Sequence, residues 1–136
     1  SYLDHPDHAH DSRWVHRPAA NWEGYERRHD AASIEGRVFH GLMALTRLRK
    51  SNPAFAGGEL EVLVTDNDHV LGFVRKFEGQ RVVIFANFSE SEQIVPARVL
   101  EQNNCAGKKR LAGISKLPRA HRDMKLAPLD LLVLGA

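Results

Sequence analysis

A long amphipathic helix followed by an antiparallel β-sandwich is the fold class predicted here, on three observations. Apolar residues recur at helical spacing between residues 34 and 48, and the period drops to two after Gly57 and Gly58. Residues 82–86 then form an unbroken apolar run, bounded by Gly79 and by the cluster Ser89, Glu90, Ser91 and Glu92. Four of the five residues in the run are β-branched or aromatic, and neither face is polar, which predicts a strand buried on both sides. A buried helix segment is the competing reading of so short a run; the branching and the short distance between turns favour strand.

The chain has 136 residues, enough for one domain or for a smaller domain with an attached segment. Apolar residues make up 43% of it, an ordinary globular level, and a formal charge of +2 points to no particular partner. Cys105 stands alone, which excludes an intrachain disulfide and is compatible with a reducing, cytoplasmic setting. No apolar run approaches the roughly 18 residues of a membrane span, and no signal-peptide pattern is present. The chain starts at Ser1 without an initiator Met, as a piece of something longer would.

Residues 1–30 show almost no periodicity and predict a long irregular loop, a kind of segment that is usually functional or disordered. Its histidines His5, His8 and His10 alternate with Asp4, Asp7 and Asp11. These residue types suit zinc or nickel, but the spacing matches no defined ligand geometry, and a solvated polar loop is the favoured account. More informative are residues 11–18, where Arg13, Trp14, His16 and Arg17 fall together. Arginine recognises carboxylates in a fixed bidentate geometry and tryptophan offers a flat apolar platform, a combination that sugars ask for. A structural arginine–carboxylate pair with a locally packed Trp14 accounts for the same residues.

Asp30 or Ser33 supplies an N-cap, with Glu35 in the first turn where the helix dipole favours an acid. Ile34, Val38, Leu42, Leu45 and Leu48 make one stripe, Phe39 and Met43 widen it, and Arg47, Arg49 and Lys50 gather at the end before Ser51, Asn52 and Pro53 stop the helix. Burying five or six such side chains stabilises by about 1.5–3 kcal/mol each, on the order of 8–18 kcal/mol together, so the helix is expected to pack against something large.

From residue 55 the pattern is strand-rich. Residues 59–65 alternate, Asp66, Asn67 and Asp68 turn the chain, residues 70–77 return, and a short turn leads into the central strand, predicting an antiparallel meander. Residues 93–99 read as a strand with Pro96 at an edge or bulge, and residues 124–126 and 129–134 close the domain. The basic segment 108–122 carries Lys108, Lys109, Arg110, Lys116, Arg119, His121 and Arg122. Nucleic-acid contact is one reading, but no aromatic is present to stack a base, and a lysine-protected sheet edge is favoured.

This order of parts resembles the C-terminal portion of an α-amylase-superfamily enzyme (glycoside hydrolase family 13), within the amylosucrase and sucrose hydrolase group. Residues 11–18 look like the amylosucrase loop after the eighth barrel strand. Residues 45–53 look like the end of the eighth barrel helix. Residues 70–77 and 82–89, ending Ala86, Asn87, Phe88 and Ser89, are similar to the superfamily's C-terminal sandwich. The resemblance covers essentially the whole chain. It implies that residues 1–54 are the eighth βα loop and final helix of a (β/α)8 barrel, and that residues 55–136 are the antiparallel sandwich. A complete barrel needs roughly 250 residues and is not contained here. The implied partner is the upstream catalytic barrel of the same protein, with sucrose and a glucan or water as substrates, no cofactor, no metal, no nucleic acid and no membrane.

The implied chemistry is a retaining one: an aspartate attacks the glucosyl carbon, a glutamate protonates the departing fructose, and the covalent glucosyl-enzyme passes to water or a glucan. Both carboxylates belong to upstream segments, so no catalytic residue is expected in this chain. The one role carried over is substrate binding by Arg13, whose counterpart in the group pairs with an upstream aspartate at the pocket floor. Two other classes remain: a self-standing carbohydrate-binding β-sandwich with Trp14 and Trp22 as platforms, and a nucleic-acid-binding module using residues 108–122.

Overall fold

The computed structural model describes residues 5–8, 10, 11 and 20–135. It divides the chain into two compact units, Ser1–Met43 and Ala44–Ala136. Among the described residues of the second unit, seven strands form an antiparallel five-stranded sheet in the order β1-β2-β3-β7-β5 and a separate antiparallel pair, β4-β6. The strands are β1 (Glu59–Leu63), β2 (Val70–Phe77), β3 (Gln80–Asn87), β4 (Gln93–Val95), β5 (Lys109–Ala112), β6 (Met124–Leu126) and β7 (Leu131–Gly135). The meander β1-β2-β3 agrees with the alternating pattern and its short turns.

Strand β3 is central, paired to β2 on one side and β7 on the other, and it is buried on both faces as its composition predicts. Val83 and Phe85 face one layer together with Val74, Leu132 and Leu134. That layer is closed by Val95 of β4, Met124 and Leu126 of β6, and Val99, Leu100 and Cys105. Val82 and Ile84 face the opposite side with Val133 and Ala54, where Leu48, Phe55 and Phe73 pack half-buried. The domain is therefore a lopsided sandwich: the second sheet is only a two-stranded ribbon, and a short helix completes its layer.

That helix, α3 (Ala97–Gln102), corrects the expectation of a strand over residues 93–99. Strand β4 ends at Val95, and Pro96, extended at φ −62° and ψ 146°, is the residue at which the helix starts. Proline lacks the N–H a strand ladder needs, while its fixed φ suits the entry of a helix. The Ala97 N–H beyond it donates to Asp123 Oδ1 at 2.8 Å.

Two buried polar groups fix how the sheet's ends are joined. Asp130 accepts from the Ser115 N–H at 2.9 Å, the Ser115 hydroxyl at 2.6 Å and the Ile114 N–H at 3.1 Å, tying the loop after β5 to the start of β7. Gly113 within that loop has φ +100°, and a Cβ there would lie 2.7 Å from the Leu131 carbonyl oxygen, so a side chain is excluded twice over. At the end of β3, the Asn87 amide donates to Ser91 O at 2.8 Å and Ala127 O at 2.9 Å, while its oxygen accepts the Ser89 N–H at 2.8 Å. A buried side chain that satisfies three backbone groups explains why Asn stands where an apolar strand turns into a loop.

Cys105 is fully buried, and desolvation pushes its thiol up to about 11 against the smaller opposing pull of Arg81 and Lys108. At neutral pH it is therefore both protonated and screened. A disulfide reagent is expected to titrate no thiol in the native protein and one per chain once denaturant is added; immediate reaction of the native protein would contradict this packing.

Candidate functional site

Arg13, the substrate-binding residue expected from sequence, lies outside the described residues, as do Trp14, His16, Arg17 and Asp4. Of the histidine cluster, His5 and His8 lie across a short turn (Pro6–His8) with their rings edge to face at 6.2 Å. His5, Asp7, His8 and His10 are all exposed. Among the described residues no three His, Cys, Asp or Glu side chains come together as a metal site would require.

The irregular loop expected over residues 1–30 is in part helical. Helix α1 (Trp22–Glu26) runs into a 3-10 turn, Arg27–His29. The cause is local: the Asn21 side chain accepts the Gly24 N–H at 2.8 Å, and Glu23 lies in the first turn. An Asn followed by an acid is a helix-start signal, too brief here to show in periodicity. Trp22 and Tyr25, one turn apart, are both exposed, with their rings perpendicular at 5.7 Å.

Helix α2 (Ile34–Ser51) carries the stripe seen in the sequence. Both candidate caps take part in its start. Ser33 Oγ accepts the Gly36 N–H at 2.9 Å and donates to Asp30 O at 2.8 Å, while Asp30 Oδ1 accepts the Ala32 N–H at 2.9 Å. Gly36 is required there, since a Cβ would fall 1.8 Å from the Asp30 carbonyl oxygen. Arg27 pairs with Glu35 and ties the preceding turn to this first turn. The Glu35 carboxyl is held below its ordinary value chiefly by its own backbone N–H, with Arg27 adding to the effect. That contribution to stability is present above the ordinary glutamate range and fades as pH falls through the lowered value.

Among the described residues the apolar face of α2 finds only part of the cover its composition anticipates. Ile34 is 69% exposed, Val38 56%, Leu42 60% and Leu45 40%, whereas Phe39 and Met43 are half-buried and Leu48 settles, half-buried, against Ile84 and its neighbours. Asn52 then caps the next turn by accepting the Ala54 N–H at 3.0 Å, with Pro53 at its start.

The basic segment is partly the edge strand β5, bulged between Arg110 and Ala112 where it pairs with β7. Arg110 donates to Ser115 O at 3.0 Å and His121 Nδ1 lies 2.9 Å from Glu101. Lys125, next to the segment, is held protonated to higher pH by its 2.7 Å hydrogen bond to Glu92. Within the segment, Arg110 thus braces the loop after β5 and His121 reaches α3.

No family model matches the chain. Solved structures do share its fold. One is the trehalose-6-phosphate hydrolase TreA of Bacillus licheniformis, 19% identical over 81% of this chain and 19% of that one, with a TM-score of 0.61. An α-glucosyl transfer enzyme, XgtA, is 19% identical over 81% of this chain and 19% of its own, with a TM-score of 0.62. The trehalulose synthase MutB from Pseudomonas mesoacidophila is 17% identical over 72% of this chain and 17% of its own, with a TM-score of 0.56. The fold is common to all four. The chain spans about a fifth of the length of each of these enzymes.

An exposed apolar helix face makes the separate chain adhesive. Expressed alone, residues 1–136 are expected to sediment as associated species, and Ile34→Gln, Val38→Gln and Leu45→Gln together to shift them toward monomer. A monomeric, cooperatively folded unsubstituted chain at high concentration would contradict this.

Proposed function

We propose that this chain is the C-terminal portion of a glycoside-active enzyme of the α-amylase superfamily, and more specifically of its amylosucrase and sucrose hydrolase group. The observation that carries the reading is helix α2, which leaves its apolar stripe exposed and leads directly into an antiparallel β domain. A last barrel helix joined to a C-terminal domain has that form, and the fold shared with glucosyl-acting enzymes supports it. The residues of the 11–18 loop supply the finer choice within the superfamily.

On this reading residues 1–54 are the eighth βα loop and final helix of the barrel and residues 55–136 the C-terminal domain. The complete protein cleaves sucrose through a covalent glucosyl-enzyme, releasing fructose and passing glucose to water or to a glucan. The nucleophile and the acid/base carboxylate belong to upstream barrel segments. This chain supplies Arg13, whose guanidinium pairs with an upstream aspartate, closes the pocket beyond the terminal glucose and holds its hydroxyls. Bidentate geometry suits arginine to that task and lysine less so.

Removing one partner of such a pair leaves a buried charge alone, at a cost of about 3–5 kcal/mol. In the complete protein, Arg13→Ala is expected to lower kcat/KM for fructose release from sucrose by roughly 100-fold or more. Undiminished turnover by that variant would remove the role of Arg13, and failure of the complete unsubstituted protein to release fructose would remove the sucrose reading.

A further inference from the structure

The outer face of the five-stranded sheet carries a groove of about 460 Å³, lined by Leu45, Leu48, Phe55, Phe73, Arg49 and Arg75 among others. No Asp or Glu lines it. Arg75 donates to the Gly57 carbonyl at 2.8 Å, and its Nε–H is buried without an acceptor. Among the described residues neither Arg75 nor Arg49 has a carboxylate partner. The groove thus joins apolar walls to two positive charges that nothing in it neutralises.

Covering such a surface with purely apolar groups would desolvate the guanidiniums without compensation, so an occupant has to bring an acid as well as apolar side chains. A second copy meets this poorly, because a two-fold contact through one patch sets that patch against itself, cation against cation. The surface also continues beyond the groove. Leu45 belongs to the exposed stripe of α2, and on the same sheet face Leu60 and Val62, registered opposite Arg75 and Phe73, are 55% and 65% exposed.

We propose that this groove seats a segment of the catalytic part of the same polypeptide, apolar at its flanks and carrying an Asp or Glu that pairs with Arg75 or Arg49. The inference rests on the reading of the chain as the end of a longer enzyme and adds the chemistry of the joint. The carboxylate takes the guanidinium in a bidentate pair, and the flanking apolar groups cover Leu45, Phe73 and Val62.

The test uses the complete polypeptide with Arg75→Lys and, separately, Arg49→Lys. Each keeps the charge but introduces an amine that a zero-length carbodiimide can join to an adjacent carboxylate. After proteolysis and mass spectrometry, an amide is expected from at least one new amine to an Asp or Glu outside residues 1–136, absent from the unsubstituted protein. Amides only to carboxylates within residues 1–136, only between two copies, or from neither amine would each overturn the proposal. Sucrose cleavage measured on the same preparations keeps the two readings apart. A cross-link without turnover retains the joint and removes the sucrose assignment; turnover without a cross-link does the opposite.

Discussion

Strand β3 supplies apolar side chains to both faces of its sheet, so each face must be covered, and the two covers are unequal. On one side the β4-β6 ribbon, α3 and Cys105 close over Val83 and Phe85 and leave them fully buried. On the other, Val82, Ile84 and Val133 are covered by the short turn at Pro53–Phe55 and by one end of α2, with an open groove beside them. Burial of both faces is what makes a continuous run of apolar residues tolerable in a strand. Val82, Ile84 and Val133 are 1–2% exposed, so even the thinner cover buries the strand.

Helix α2 shows the same imbalance from the other direction. Its start is fully specified by local chemistry, with Asp30, Ser33 and Gly36 fitted around one another and Arg27 paired to Glu35. Its end is equally defined by Asn52 and Pro53. Yet the stripe between these ends stays largely in water, forgoing much of the stabilisation that burial of Val38 and Leu45 offers. A helix so well bounded and so poorly covered fits the proposed reading as the last helix of a larger enzyme, and the occupant proposed for the groove belongs to the same body.

What the sequence made legible was whatever depends on near neighbours. The both-faces-apolar run at 82–86 gave β3, the alternation on either side of Asp66–Asp68 gave the meander, and the stripe with its caps gave α2 within a few residues. What it hid depends on distant partners or very short signals. The turn from β4 into α3 rests on Pro96 and on an acid, Asp123, that lies far along the chain, so the segment looked like one strand. Helix α1 is a single capped turn and leaves no period to read. The groove was invisible because Arg49 and Arg75 belong to different elements and only the fold brings them to one lining. Arg13, the one expected site residue, rests on its local motif in the sequence and lies outside the described residues.

The central claim is that the apolar face of α2 is an internal surface of a larger protein. Amide hydrogen exchange through residues 38–45, compared between the complete polypeptide and the chain expressed by itself, addresses it directly. Packing of the stripe against a barrel predicts exchange slower by at least about 100-fold in the complete polypeptide. Equal rates in the two would mean that the helix gains no cover from the rest of the protein, and would contradict the account.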